Sequence, residues 1–538
     1  MFKMKFMKAI TILSLSALCL FGTSSCQDFL DKTPQSALTA DQIYTDLDRL
    51  EPTVNGLYTS FRNTKVNREG FTFYMIGTDE AQQGIKEVLT YSSQPGFDYY
   101  NGQLNSALDK ISAMWQSKWP IINTASLSIC GLTILEESET NDENLKKIKL
   151  LKANACFMRA MSMFELAMHW GEVPIVEITS LDQTDTDYAR RPLPEVWKQI
   201  FDDFTYASEN LSEGRQTGPR ATKGSAIAML GKVCMYAPEE SGYRDFRKAI
   251  GYFEQMNNGL YSLEPDYGTL FDEWGTLEFN SPESVFEIDY EPNDNGRSGW
   301  QWDMGSKTLG QAGYSEECYL GGWDVIMPTV YQYSMREDGG VWEEGDLRKN
   351  VNLRYEWTYD GITYTVPTDA ADELDPHIKK WEDRRIDRFA PEYPNVFNRS
   401  YYRVGKNYPM IRFADVLLCY AECLNEVGNT AQAIDIVNNQ IRRRAWGGNL
   451  PADKQWKGLS KEQFRVEIMD ERMRELCFEG WRRMDLIRTG KFVELIKQRN
   501  RWARESNTIQ EYHMRYPIPD SEINNNPSLT KDDQNPGY

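Results

Sequence analysis

Long stretches of this chain carry apolar residues at helical spacing, and each stretch closes on glycine or proline. Leu150–Trp170 shows the pattern most fully. Phe157, Met161, Phe164 and Met168 form one stripe, and Cys156, Ala160, Met163 and Ala167 form a second beside it. Two adjoining stripes predict a helix buried on most sides, with alanines that admit close neighbours. Gly171 and Pro174 mark its end. A chain built this way is mostly α, and its helices must bury their faces on one another.

The same grammar recurs in pairs. Residues 40–64 predict a first helix through Ile43, Leu47, Leu50, Val54 and Leu57. Residues 194–211 place Val196, Ile200, Phe204 and Leu211 on one face. Thr222 is the predicted cap of a helix ending near Tyr236, and Asp245 of one ending near Asn258. Near the C-terminus, Phe413, Leu417, Tyr420, Leu424 and Val427 form a stripe stopped by Gly428. Thr430 is the predicted cap of the next helix, with Ile434, Val437 and Ile441. Ser460 and Gln463 read as a capping box ahead of Met469, Met473 and Leu476. Paired helices with short turns predict a helical-repeat scaffold.

Residues 262–410 break this pattern. Seven of the 15 tryptophans fall there, amid frequent Gly, Asn, Asp and Pro. Loops and short strands are expected, including a hairpin over 355–366 turning at Asp360 and Gly361.

The first 25 residues read as a secretory leader. Lys3, Lys5 and Lys8 precede a largely apolar run from Ala9 to Phe21, too short to span a membrane. Cys26 follows the small residues Gly22 to Ser25. This arrangement resembles the lipobox of bacterial lipoproteins, with Thr23 where such boxes usually carry Leu. The resemblance implies diacylation of Cys26, and more than one acyl chain would hold the protein stably on a membrane.

The formal net charge of −20 opposes nucleic acid binding and suits a protein that handles neutral ligands. Three separated histidines and no C-x-x-C argue against a zinc site or a His-based triad. Cysteines 130, 156, 234, 318, 419, 423 and 477 read as small, mostly buried thiols. The acidic group Asp369, Asp372, Glu373 and Asp375 lacks EF-hand spacing and reads as solvated surface. No cofactor or metal is expected.

Several segments, in order, resemble the SusD/RagB family of Bacteroidetes surface lipoproteins. They are Thr53-Val54-Asn55-Gly56-Leu57-Tyr58, Arg159-Ala160 through His169-Trp170-Gly171-Glu172-Val173-Pro174, and Arg220-Ala221-Thr222-Lys223-Gly224-Ser225-Ala226. Pro409-Met410-Ile411-Arg412-Phe413-Ala414-Asp415-Val416 continues through Tyr420-Ala421-Glu422. Glu471-Arg472, Glu475-Leu476, Phe478-Glu479-Gly480, Arg482 and Asp485-Leu486-Ile487-Arg488 follow. Tyr516-Pro517-Ile518-Pro519 and Gln534-Asn535-Pro536-Gly537-Tyr538 close the series.

The resemblance implies about four tetratricopeptide-like helix pairs and an irregular lobe that carries the ligand site. It implies a partner, a TonB-dependent outer-membrane transporter of the SusC type, and an oligosaccharide or, in some members, a peptide as ligand. Gln27 to Asp31 resemble the family's surface-export address, which places the protein on the outside of the outer membrane. The expected organisation is 1–25 leader, 26–39 anchor and tether, 40–261 helical region, 262–410 ligand lobe and 411–538 helical region.

Ligand contacts are expected from flat rings and oriented polar groups, which is what a neutral sugar offers to grip. Trp300, Trp302, Tyr314 and Trp323 lie in the glycine-rich stretch 293–323, with Asn293, Asn295, Arg297, Gln301 and Asp303 among them. On an extended segment Trp300 and Trp302 would face one way. Asp79 and Tyr99 are further candidates, from the family resemblance and from a Gly/Pro-flanked loop. Arg472, Glu475, Glu479, Arg482, Asp485 and Arg488 read instead as an ion-pair network between helices. A surface glycosidase would need two carboxylates flanking a bond, and no catalytic residue is expected.

Overall fold

The structure, a computed structural model, describes residues 40–66, 70–84, 95–183, 188–272, 275, 277–290, 300–305, 324–359, 362–365, 376–383 and 405–538. Helices dominate it, and the long ones pack in pairs. Leu47–Val66 lies on Trp119–Ser138, Asp142–Trp170 on Leu193–Asn210, Lys223–Tyr236 on Phe246–Met256, and Phe413–Glu426 on Thr430–Ile436. These are four consecutive helix pairs among the described residues, the tetratricopeptide-like scaffold expected. Phe246–Met256 also packs on Phe413–Glu426, so the scaffold is continuous across the irregular stretch between them.

Local chemistry accounts for most boundaries. Thr222 and Ser225 form a reciprocal capping box, as do Ser460 and Gln463. Asp245 accepts from the amides of Arg247 and Lys248. Gly171 closes the central helix with φ +80°.

Two expectations are corrected, and one helix is new. The central helix begins at Asp142, not near Leu150, because Asn141 caps a polar first turn that carries no apolar stripe. Trp119–Ser138 forms a full helix that the stripe pattern did not reveal. Its apolar residues fall on most sides, so no single stripe stands out, while Pro120 sits harmlessly in the first turn. Asn429, not Thr430, is the cap residue of the helix Thr430–Ile436. The Thr430 hydroxyl donates to Asn425 Oδ1 instead (2.7 Å), and the helix passes into a π-helical stretch over Val437–Arg442.

Among the described residues the strands pair only in twos. Ala81–Gln82 pairs with Met327–Pro328, Val173–Pro174 with Arg190–Arg191, Ser284–Ile288 with Tyr408–Arg412, and Leu353–Arg354 with His377–Ile378, all antiparallel. Glu356–Tyr359 pairs with Ile362–Thr365 as the expected hairpin; its turn residues Asp360 and Gly361 lie outside the described residues.

A buried ionic network joins scaffold to lobe. Glu475 is contacted by Arg348 (2.9 Å), Arg412 (3.0 Å) and Arg444. Glu471 pairs with Arg348 (2.8 Å), Arg442 (3.0 Å) and Arg474 (2.7 Å). Glu479 holds Lys380 (2.6 Å) and Arg412 (2.8 Å). Arg472 bridges Asp415 (3.0 Å) and Asp485 (2.9 Å), and Arg488 binds Glu422. The family-like C-terminal residues therefore form the ion-pair network read from the sequence. Arg348 and Lys380 enter it from the irregular stretch, so the lobe is fixed to the helix Lys461–Leu476 by charge as well as by apolar packing. Each buried charge needs its partner, because an unpaired one is strongly penalised. Cysteines 156, 234, 419, 423 and 477 are buried thiols, and Cys130 is partly exposed.

Candidate ligand-binding site

Gly84, Gly305, Asp324 and His377 come together beside the scaffold. The Gly84 amide donates to Asp324 O (3.2 Å), and the Asp324 amide donates to Gly305 O (3.1 Å). Asp324 Oδ1 meets His377 Nε2 at 2.6 Å. A Cβ on Gly84 would come within 2.2 Å of Asp324 O, so this approach demands glycine. Asp324 itself holds φ +52°, a conformation that aspartate tolerates better than most residues. Thr329 ties the same strands together: its amide donates to Glu80 O (3.0 Å) and its hydroxyl to Asp79 O (2.7 Å).

Tyr99 is half-buried at this convergence. Its ring lies 5.5 Å from that of Trp502, at 32°. Its carbonyl accepts from the hydroxyls of Ser506 and Thr508, both at 2.7 Å. One face of the ring is thus supported while the backbone is held.

Three expected ligand contacts are corrected: Asp79, Trp300 and Asp303. Asp79 is fully buried: Arg482 grips both its oxygens (2.7 and 2.6 Å), and Arg499 adds a third contact at 2.9 Å. Burial pushes its carboxyl up, and the two guanidiniums more than reverse this, leaving it below the ordinary value. Its role is to fasten the loop to the scaffold. Trp300 is also fully buried, stacked on Phe71 (4.3 Å) and edge-on to Tyr290 (5.0 Å), Trp381 (5.1 Å) and Tyr408 (5.4 Å). Its indole N–H donates to Lys65 O (2.7 Å). With every face taken, it is the keystone of an aromatic core.

Trp300–Met304 is a helical turn, not an extended segment, so the period-2 argument for Trp300 and Trp302 fails. Asp303, expected to meet sugar hydroxyls, is buried and accepts from the Thr72 hydroxyl (2.8 Å). The side chains of Gln301 and Trp302 lie outside the described residues, as do Cys26, Asn293, Asn295, Arg297, Tyr314, Trp323 and the acidic group 369–375.

The residues that hold this site together are Arg482, Arg499, Asn500 and Trp502. Sequence reading named Arg482 only as part of an ion-pair network and missed the other three. They meet their partners across about 400 residues of chain, and no local pattern marks such pairs.

The family described as "SusD family" matches residues 282–538, and the one described as "Starch-binding associating with outer membrane" matches residues 28–235. The chain is 27% identical to SusD-like protein P2 of Formosa agariphila, over 95% of this chain and 97% of that one. It is 22% identical to the starch-binding protein SusD of Bacteroides thetaiotaomicron over the full length of both. Among solved structures, a SusD homolog from Bacteroides thetaiotaomicron superposes with TM-score 0.73 at 21% identity, covering 93% of this chain and 98% of that one. A laminarin-binding SusD-like protein superposes with TM-score 0.69 at 21% identity, covering 91% and 99%. With both halves matched and full-length relatives on either side, the chain belongs to the SusD/RagB family.

Proposed function

We propose that this chain is a surface-exposed, lipid-anchored binding protein of the outer membrane. It captures neutral oligosaccharides and passes them to a TonB-dependent transporter of the SusC type, without catalysis. The observation that carries the reading is the convergence at Gly84, Asp324 and His377, with Tyr99 half-buried beside it on Trp502. A supported aromatic ring on a rigid base suits the apolar C–H face of a sugar, which presents no charge. Relatives named for starch and laminarin binding support a glycan as ligand class. The negative net charge agrees with an uncharged ligand. The contacts proposed are Tyr99, Trp302, Tyr314 and Trp323, with Cys26 as the lipid attachment point.

A hydrolytic role has little support. Asp79, Asp98 and Asp324 are buried and each is already engaged by protein groups, whereas a glycosidase needs two carboxylates free to flank the scissile bond. Affinity electrophoresis through gels cast with starch or laminarin tests the proposal. Retarded migration in at least one gel is expected, and unchanged migration in every neutral polysaccharide would sink it. Replacing Cys26 by Ala should release the protein from the membrane fraction.

A further inference from the structure

The stretch Asn500–Thr508 holds both ends of the chain segment that surrounds Tyr99. On the incoming side, Asn500 Nδ2 donates to Thr78 O (3.0 Å), the Arg501 amide donates to Gln82 Oε1 (3.0 Å), and the Trp502 indole N–H donates to Gln83 O (2.8 Å). On the outgoing side, Asn500 Nδ2 donates to Asp98 Oδ1 (2.7 Å), and Ser506 and Thr508 hold Tyr99 O. Asp98 closes the ring, because its Oδ2 accepts from the Gln83 amide (2.7 Å).

Asn500 is the hub. Its Oδ1 accepts from the amides of Trp502 (3.0 Å) and Ala503 (3.1 Å), capping the short helix Arg501–Ser506. Its Nδ2 uses both hydrogens, one on each side of the segment. The side chain is fully buried, and its two donors and its acceptor are all engaged. Aspartate would keep the cap but turn the donor into an acceptor facing Asp98. Serine would keep the cap and lose both donated bonds.

We infer that Asn500 is a positioning residue for ligand capture: through Thr78, Asp98 and Gln83 it fixes the backbone that presents Tyr99. This rests on the reading that ligand is taken at the Tyr99 face.

The test measures two things in the full mature chain. Amide hydrogen exchange at residues 78–84 and 97–100 reports the clamp, and calorimetric titration with maltooligosaccharides and laminarin oligosaccharides reports capture. Asn500→Asp should speed exchange at Gln83 and Gly84. If the competent arrangement falls to about a tenth of the population, apparent affinity falls about tenfold. Asn500→Ser should act in the same direction. The double variant Asn500→Asp with Asp98→Asn restores a donor opposite the new carboxylate while still accepting from Gln83; the bond to Thr78 O stays lost, so both readouts should recover in part, above those of Asn500→Asp alone. A merely structural role would speed exchange without lowering affinity. Unchanged exchange in Asn500→Asp, unchanged affinity despite faster exchange, or failure of the double variant to recover would each overturn the inference. A wild-type chain that binds none of the probes overturns the functional reading and the inference with it. The exchange data tell that case from a failed clamp, since the variants still loosen the segment in the first and not in the second.

Discussion

The guanidinium of Arg482 grips the carboxylate of Asp79 with two bonds, 2.7 and 2.6 Å long, across 403 positions of chain. It ties the loop ahead of Tyr99 to the C-terminal helices, and both partners are buried. Replacing Asp79 by Asn leaves Arg482 without its paired carboxylate and Arg499 with Asp470 alone, at 3.5 Å. The cost to folding should be about 3–5 kcal/mol, because a buried charge has lost its partner. Urea unfolding measures it. A stability equal to that of the wild type would contradict the fastening role given to Asp79.

Trp300 packs against four aromatic rings and leaves no face for a ligand. Trp300→Ala should therefore destabilise the protein by about 3–5 kcal/mol, as other large-to-small core changes do. A variant with normal melting behaviour and lost ligand binding would return Trp300 to the binding surface.

Glu80 is buried, and burial pushes its carboxyl up to about 8 against only partial opposition from the Phe478 N–H that it accepts (3.0 Å). A folded value above the ordinary 4.5 means the protonated form is favoured in the native state. Its contribution is fully present below pH 4.5 and is lost as pH rises towards 8. Glu80→Gln keeps an acceptor for Phe478 and removes the titration. The variant should melt at a higher temperature than the wild type at pH 8 and close to it at pH 5. The same difference at both pH values would rule out the titration as its cause.

Tyr99 is the one expected contact that the described residues leave partly open. Tyr99→Ala should weaken glycan binding by about threefold to tenfold, the range that aromatic contacts contribute beyond their buried area. Thermal stability should change little, since the ring is only half-buried. A large melting shift with unchanged affinity would make Tyr99 a packing residue.

Much of the scaffold was legible because its information is local. The stripes around Phe157 and Met161, the caps at Thr222, Asp245 and Ser460, and the stop at Gly171 each lie within a few residues of what they specify. Trp119–Ser138 escaped because a helix apolar on most sides has little amphipathic contrast to read. The site was less legible. A buried tryptophan and a ligand-stacking one have the same local sequence signature, and only Phe71, Tyr290, Trp381 and Tyr408 closing around Trp300 distinguish them. Asp79 looked like a sugar-binding acid because its partners, Arg482 and Arg499, stand about 400 positions away.

Titration calorimetry of the protein, with neutral oligosaccharides derived from starch and laminarin in one series and mixed peptides in the other, tests the central claim most directly. The account predicts saturable heat from at least one oligosaccharide, lost little by raising the salt concentration because no charge is involved. Flat traces with every glycan, together with saturable heat from peptides, would contradict it.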